Sequence, residues 1–266
     1  MFPYQTLNKL QVQYDMAFFV DKDSIVRKIW GKADTILFIF AGASAEFALN
    51  KAVDWLYFTG KLPSDPLGRL FSTVSYAKQI VFSEHDDALR AIDKITAIHK
   101  TVEANRGVQI PDWAYRDVLF MLIDYSIRSF EVLERVLTEK EKGETFDVFN
   151  RVGLRMGING LPANYQDWLL MRNQHLKDNL IRSDFTIDLY KQYGKHLGLL
   201  RYELLKQVQF LVVPNRVNEL LSLGDTALLK PLLGIYKLSR IFNLEGILRN
   251  VILPENYKEQ IHKLDV

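Results

Sequence analysis

Between Asp65 and Glu103 the apolar residues recur at helical spacing twice in succession, and this tandem pattern limits the fold more than any other stretch. Leu67, Leu70, Phe71, Val74, Ala77 and Val81 form one stripe; Leu89, Ile92, Ile95, His99 and Val102 form the next. Recurrence every three or four residues puts such side chains on one helix face, so two amphipathic helices are predicted. Asp65 is a good N-cap acceptor and Pro66 suits a first helical position. Ser83-Glu-His-Asp has the form of a capping box and predicts the start of the second helix. Arg69 and Thr73 are four residues apart and project from one side of the first helix. On the second, His99 takes a place the pattern would give to a leucine. A neutral imidazole there is either a core histidine bonded to a carbonyl or carboxylate, which is the commoner case, or a metal or haem ligand.

The rest of the chain reads as helices nearly throughout. Glycine and proline cluster at joints (60–66, 107–111, 157–162, Pro214, Gly224, 231–234), while strict apolar–polar alternation is scarce. Residues 1–34 form an N-terminal arm with a short helix or two. Residues 35–58 read as one apolar helix holding Ala41, Gly42, Ala43, Ser44 and Ala45, small residues that let a second helix or a flat ligand approach. Glu46 ends that run as a rim carboxylate or as a base beside a pocket. A long helix runs from about Asp112 to Thr138, in which Asp124 sits four before Arg128, the favourable order for a local ion pair; a supporting role behind a ligand is the alternative. Further helices are expected over 144–156 and from Asp167, and His175, among Arg172, Asn173, Gln174 and Lys177, is read as solvated surface. From Thr186 to Val251 apolar residues alternate with Lys and Arg. Leu228–Leu253 suits amphipathic helices on a bundle, or a helix lying on a membrane surface.

A chain of 266 residues suits one domain and can bury roughly 75% of the surface its unfolded state exposes. It has no cysteine, which excludes disulfides, thiolate metal sites, iron–sulfur clusters and covalent c-type haem. A net charge of +2 gives no case for nucleic acid, although residues 191–250 carry nine Lys and Arg against four Asp and Glu. The first twenty residues lack a secretory pattern, and Thr35–Ala45 is too short to span a bilayer, so a cytoplasmic location with membrane association as the alternative is expected. GxGxxG, Walker A, HExxH, GxSxG and EF-hand patterns are missing. Asp86-Asp87 lacks the later carboxylate that an aspartate-rich magnesium site needs.

Several spaced signatures then converge. Thr59-Gly-Lys-Leu62 leads into Arg69-x-x-x-Thr73; Ile98-His99 follows on the next helix; Asp112–Leu119 reads DWAYRDVL. Leu137-Thr138-x-x-Glu141 comes next, and Gly153-x-x-Met156-Gly157-Ile158-x-x-Leu161-Pro162 closes the set. This ordered set, over roughly 55–165, resembles the family of haem-dependent oxygenases that includes the rubber-cleaving latex clearing proteins and the mycophenolic-acid-pathway oxygenase MpaB. The resemblance implies an all-α, single multi-helix bundle over 1–266 enclosing a haem pocket, with little or no β structure. Its signature core is 55–165, its arm 1–34 and its C-terminal helices 190–266. It implies haem b bound through His99 as iron ligand, with Arg69 and Thr73 beside the haem as cofactor-binding and catalytic residues that hold a propionate or stabilise bound oxygen. Ser72 stands where some rubber-cleaving relatives carry lysine. One recommended histidine fits haem better than zinc or non-haem iron. The implied activity is O2-dependent oxidation or cleavage of a C=C bond in an apolar, isoprenoid-type substrate. The alternatives are a non-catalytic haem-binding sensor, carrier or electron-transfer protein, and a helical interaction domain that has lost haem.

Overall fold

A computed structural model of the chain describes residues 17–60, 66–225 and 234; for Leu56 and residues 66–72 it describes the backbone alone. The described residues form α1 (Ile25–Trp30), α2 (Ala33–Leu49), α3 (Val53–Phe58), α4 (Pro66–Phe82), α5 (His85–Arg106), α6 (Asp112–Leu133), α7 (Glu139–Met156), α8 (Tyr165–Asp178), α9 (Asp184–Val212) and α10 (Asn215–Leu221). Among them there is no strand, only isolated bridges at Phe18–Glu84 and Asn50–Leu180, so the all-α expectation holds. Asp65 and, apart from Gly234, Leu228–Leu253 lie outside the described residues.

Helix α2 is the axis of the bundle. A helix that is apolar all round must be covered all round, and α2 buries Ile36, Ile39, Phe40, Ala45, Ala48 and Leu49 between α6 and α9. Its small residues serve helix packing rather than a flat ligand. A Cβ on Gly42 would stand 2.9 Å from Val212 of α9 and collide with the Tyr125 ring of α6. The expected single helix over 35–58 is broken at Asn50. Asn50 Oδ1 accepts from Ala52 N at 2.8 Å, Lys51 N donates to Asn179 O at 2.9 Å, and Ile181 N donates to Leu49 O at 2.8 Å. Bonds to the α8–α9 link thus replace those that would have continued the helix.

Helices α4 and α5 form an antiparallel hairpin. Val74, Ala77 and Val81 of the first stripe are buried against the core, as is Ile92 of the second. The capping box expected at Ser83 does not form. Glu84 is the N-cap without a side-chain bond, and His85 N donates to Ala17 O at 3.0 Å, so the N-terminal arm takes the place of the local cap. The same local pattern succeeds at Thr138, where Glu141 N donates to Thr138 Oγ1 at 3.3 Å and Thr138 N to Glu141 Oε2 at 2.8 Å. Arg135 grips that glutamate with two nitrogens and, with the Thr138 backbone bond, holds its carboxyl down to about 2. Helix α7 ends at Gly157 with φ 75°, and Ile158 N donates back to Gly153 O at 3.1 Å. A Cβ on Gly153 would lie 2.7 Å from Leu119 and 2.9 Å from Leu161, so this glycine sets how closely α6 and α7 approach. Two of the sequence signatures are therefore fold-building: a helix cap and a helix exit.

Helix α9 is two helices in reverse. Gly198 has φ 72° and ψ 167°, a region glycine alone enters readily. Tyr190 Oη donates to Gln209 Oε1 at 3.0 Å, which requires the chain to fold back between them. No helix among the described residues is long and apolar enough to cross a membrane.

Candidate functional site

The α4–α5 hairpin brings the helices of the three sequence-derived site residues side by side. Its register is marked where Lys94 Nζ lies 5.8 Å from the Tyr76 ring centroid. Counting equal numbers of residues back along α4 and forward along α5 puts Arg69 within a turn of His99. Thr73, one turn further along α4, is half-buried. The side chains of Arg69 and Ser72 lie outside the described residues.

His99 sits on the less covered half of α5, where nothing beyond Ile92 is fully buried. Its half-buried ring meets Tyr115 of α6 edge-on, with centroids 5.2 Å apart at 88°. Tyr115 Oη donates to Glu103 Oε1 at 3.1 Å, and that oxygen also accepts from Ile110 N at 2.9 Å. Burial, then the Glu103 carboxylate, pushes the Tyr115 phenol well above its ordinary range, so it stays a protonated donor. Glu103, one turn beyond His99, is thereby occupied by the α5–α6 link. Further along α5, Arg106 bonds Asp54 at 2.7 Å and lies 4.0 Å over the Trp55 ring, tying α3 to this end of the hairpin. Ile98 is 37% exposed beside His99.

The donor chemistry here suits a group that brings most of its own ligands. Among the described residues no three His, Cys, Asp or Glu side chains gather to hold a bare metal ion. A single imidazole on a partly apolar helix face would suit a group such as haem, which asks for few protein ligands, better than zinc, which asks for three or four.

Deeper in the bundle the polar residues are bound to one another. Glu46 is 1% exposed, so it is no rim residue. Its oxygens take two nitrogens of Arg172, at 2.5 and 2.6 Å, and Tyr125 Oη at 2.8 Å, so both carboxylate oxygens are engaged inside the bundle. Asp124 bonds Arg128 at 2.7 Å, the local pair expected, and also Arg172 at 2.9 Å. Burial alone would raise the Asp124 carboxyl, but the two guanidinium groups overbalance it and hold it below its usual range. A cavity of about 230 Å³ opens beside these pairs between α6 and α8. With Asp124, Arg128, Glu131 and Arg172 in its wall it does not suit an apolar substrate.

His175 is not solvated surface. Its ring stacks on Phe120 at 5.0 Å and 18°, and Nδ1 closes on the Asp117 carboxylate, which also accepts from Asn50 at 2.7 Å and Asn179 at 2.9 Å. The polar residues flanking it in sequence concealed the inward turn. Sequence reasoning also missed Tyr115 and Glu103. The four-residue step from His99 to Glu103 was the available signal for the second; Tyr115 was visible only as a letter within DWAYRDVL.

Compared with curated proteins, the chain has no match. A family model described as ER-bound oxygenase mpaB/B'/rubber oxygenase, catalytic domain, matches residues 28–234, a span from within α1 to beyond α10. The chain therefore belongs to the mpaB/B'/rubber oxygenase family, and the matched span corresponds to that family's oxygenase catalytic domain.

Proposed function

We propose that this chain, as one helical domain, is a haem b-dependent oxygenase that uses dioxygen to oxidise or cleave a C=C bond in an apolar, isoprenoid-class substrate. The observation that carries the reading is His99: one imidazole, steadied edge-on by Tyr115 on the open half of α5, in a member of an oxygenase family. Haem b, when bound, would supply the iron and the redox chemistry that side chains lack. The chain's own residues do the rest. His99 presents a neutral ring nitrogen as iron ligand, and the Tyr115 ring limits its rotation. Because Tyr115 keeps its proton, no phenolate charge arises beside the imidazole. Arg69 carries a permanent charge and Thr73 a hydroxyl, one turn apart on the neighbouring helix. Together they suit a cofactor carboxylate or negative charge developing on an oxygen atom. Ile95, Ile98 and Val102 lie on the same half of α5 and favour an apolar substrate over water. Nucleic acid has no part in this reading.

The test is the full chain reconstituted with haem beside His99→Ala, by absorption spectrum and pyridine haemochrome assay, followed by oxygen uptake with isoprenoid alkenes. Near-stoichiometric haem with a Soret band lost or shifted in the variant is expected. An unchanged variant spectrum would put the ligand elsewhere and overturn the assignment. Haem binding without alkene-dependent oxygen uptake would favour a carrier or sensor.

A further inference from the structure

The reversal in α9 ends in an apolar apex. Residues 184–197 and 199–212 run back along each other, and their inner side chains lean on α2. Tyr193 Oη donates to Ser44 O at 3.4 Å, and Gln209 Nε2 donates to Ser44 Oγ at 3.3 Å. Leu197, just before the turn, packs with Ala48, Val53, Leu189 and Tyr193. Just after it, Leu199 and Leu200 are 80% and 81% exposed, the most exposed large apolar residues described. A helix–helix turn needs no leucine, and a polar residue would lie there at lower cost.

Among the described residues the exposed charge just before the apex is basic. Lys191 and Lys195 are exposed before it, beside the exposed ring of His196, and the half-buried Arg201 follows. Of the nearby acids, Glu203 bonds Lys206 at 2.8 Å and Asp188 accepts from Tyr57 Oη at 2.9 Å. Two leucines on a convex tip are far too small for a stable protein interface, which needs roughly 800 Å² from each partner. A fluid lipid surface needs no complementary shape, and cations at the rim of an apolar tip match anionic headgroups.

We propose that the α9 hairpin tip inserts Leu199 and Leu200 into the interface of an anionic bilayer, with Lys195, His196 and Arg201 at headgroup level. The contact is independent of the oxygenase reading and needs no membrane-spanning helix.

The chain has no cysteine, so Leu199→Cys carrying an environment-sensitive fluorophore is a unique reporter in this 266-residue chain. With vesicles of roughly one-third phosphatidylserine in phosphatidylcholine, a blue shift is expected that is lost in high salt and absent with phosphatidylcholine alone. Co-sedimentation of unlabelled protein with the same vesicles should fall about fivefold or more in Lys195→Glu and in the double variant Leu199→Ser, Leu200→Ser. All substituted groups are exposed, so far-UV circular dichroism should match the parent. Vesicle binding without a fluorophore shift would locate the contact elsewhere and overturn the proposal. So would wild-type protein that stays in the supernatant, or a shift that grows with protein concentration and needs no vesicles, which would make a second copy the occupant.

Discussion

The two sides of helix α6 handle polar groups in opposite ways. On the side facing α2 and α8, Glu46, Asp124, Tyr125 and Arg172 are buried and fully engaged with one another. On the side facing α5, Tyr115 meets a half-buried histidine on a helix whose outer half is thinly covered. The first arrangement fixes the fold, because a buried charge that loses its partner is far costlier than a surface one. The second places a half-buried imidazole on a thinly covered helix, which is where the proposed function puts its ligand. Substitutions should separate the two: interior changes act on stability, and hairpin changes on ligand binding.

The largest effect is expected at Arg172. Arg172→Ala would strand Glu46 and Asp124 in the interior and should cost about 3–5 kcal/mol in denaturant unfolding. Arg172→Ala combined with Glu46→Gln should recover part of that loss, since one stranded charge is removed. A single variant as stable as the parent would break the contrast. Gly42→Leu comes next. Its side chain would enter space held by Tyr125 and Val212, and overpacking at such a contact costs about 1–3 kcal/mol, read as a lower Tm. Its haem affinity, measured below the transition, should match the parent's.

What the sequence disclosed follows the same divide. Asp124 and Arg128 are four residues apart on one helix, so their ion pair was legible from spacing alone. Arg172 stands 126 residues from Glu46 and 48 from Asp124, and no local rule reaches that far. His99 was visible because it interrupts an apolar period. Glu46 was visible for the same reason, yet its depth was not, because the cation that makes burial tolerable arrives from another helix. Capping shows the limit most directly. Ser83 and Thr138 share the local pattern, and only Thr138 forms the box, because the arm at Ala17–Phe18 competes for the amides of α5.

The smallest expected effect tests the hairpin side most sharply. Tyr115→Phe keeps the ring against His99 and removes only the hydrogen bond to Glu103, whose carboxylate still accepts from Ile110 N. Loss of one such partly buried bond should cost about 0.5–1.5 kcal/mol. Tyr115→Leu removes the ring as well and frees the imidazole to turn. If the ring holds His99 in orientation, haem transfer to an excess of apomyoglobin should be severalfold faster from the leucine variant, while the phenylalanine variant stays near the parent rate. Equal acceleration in both would assign the hold to the Glu103 bond and the α5–α6 link it secures. Parent-like rates in both would leave Tyr115 as packing alone, with His99 oriented from the α4 side of the hairpin.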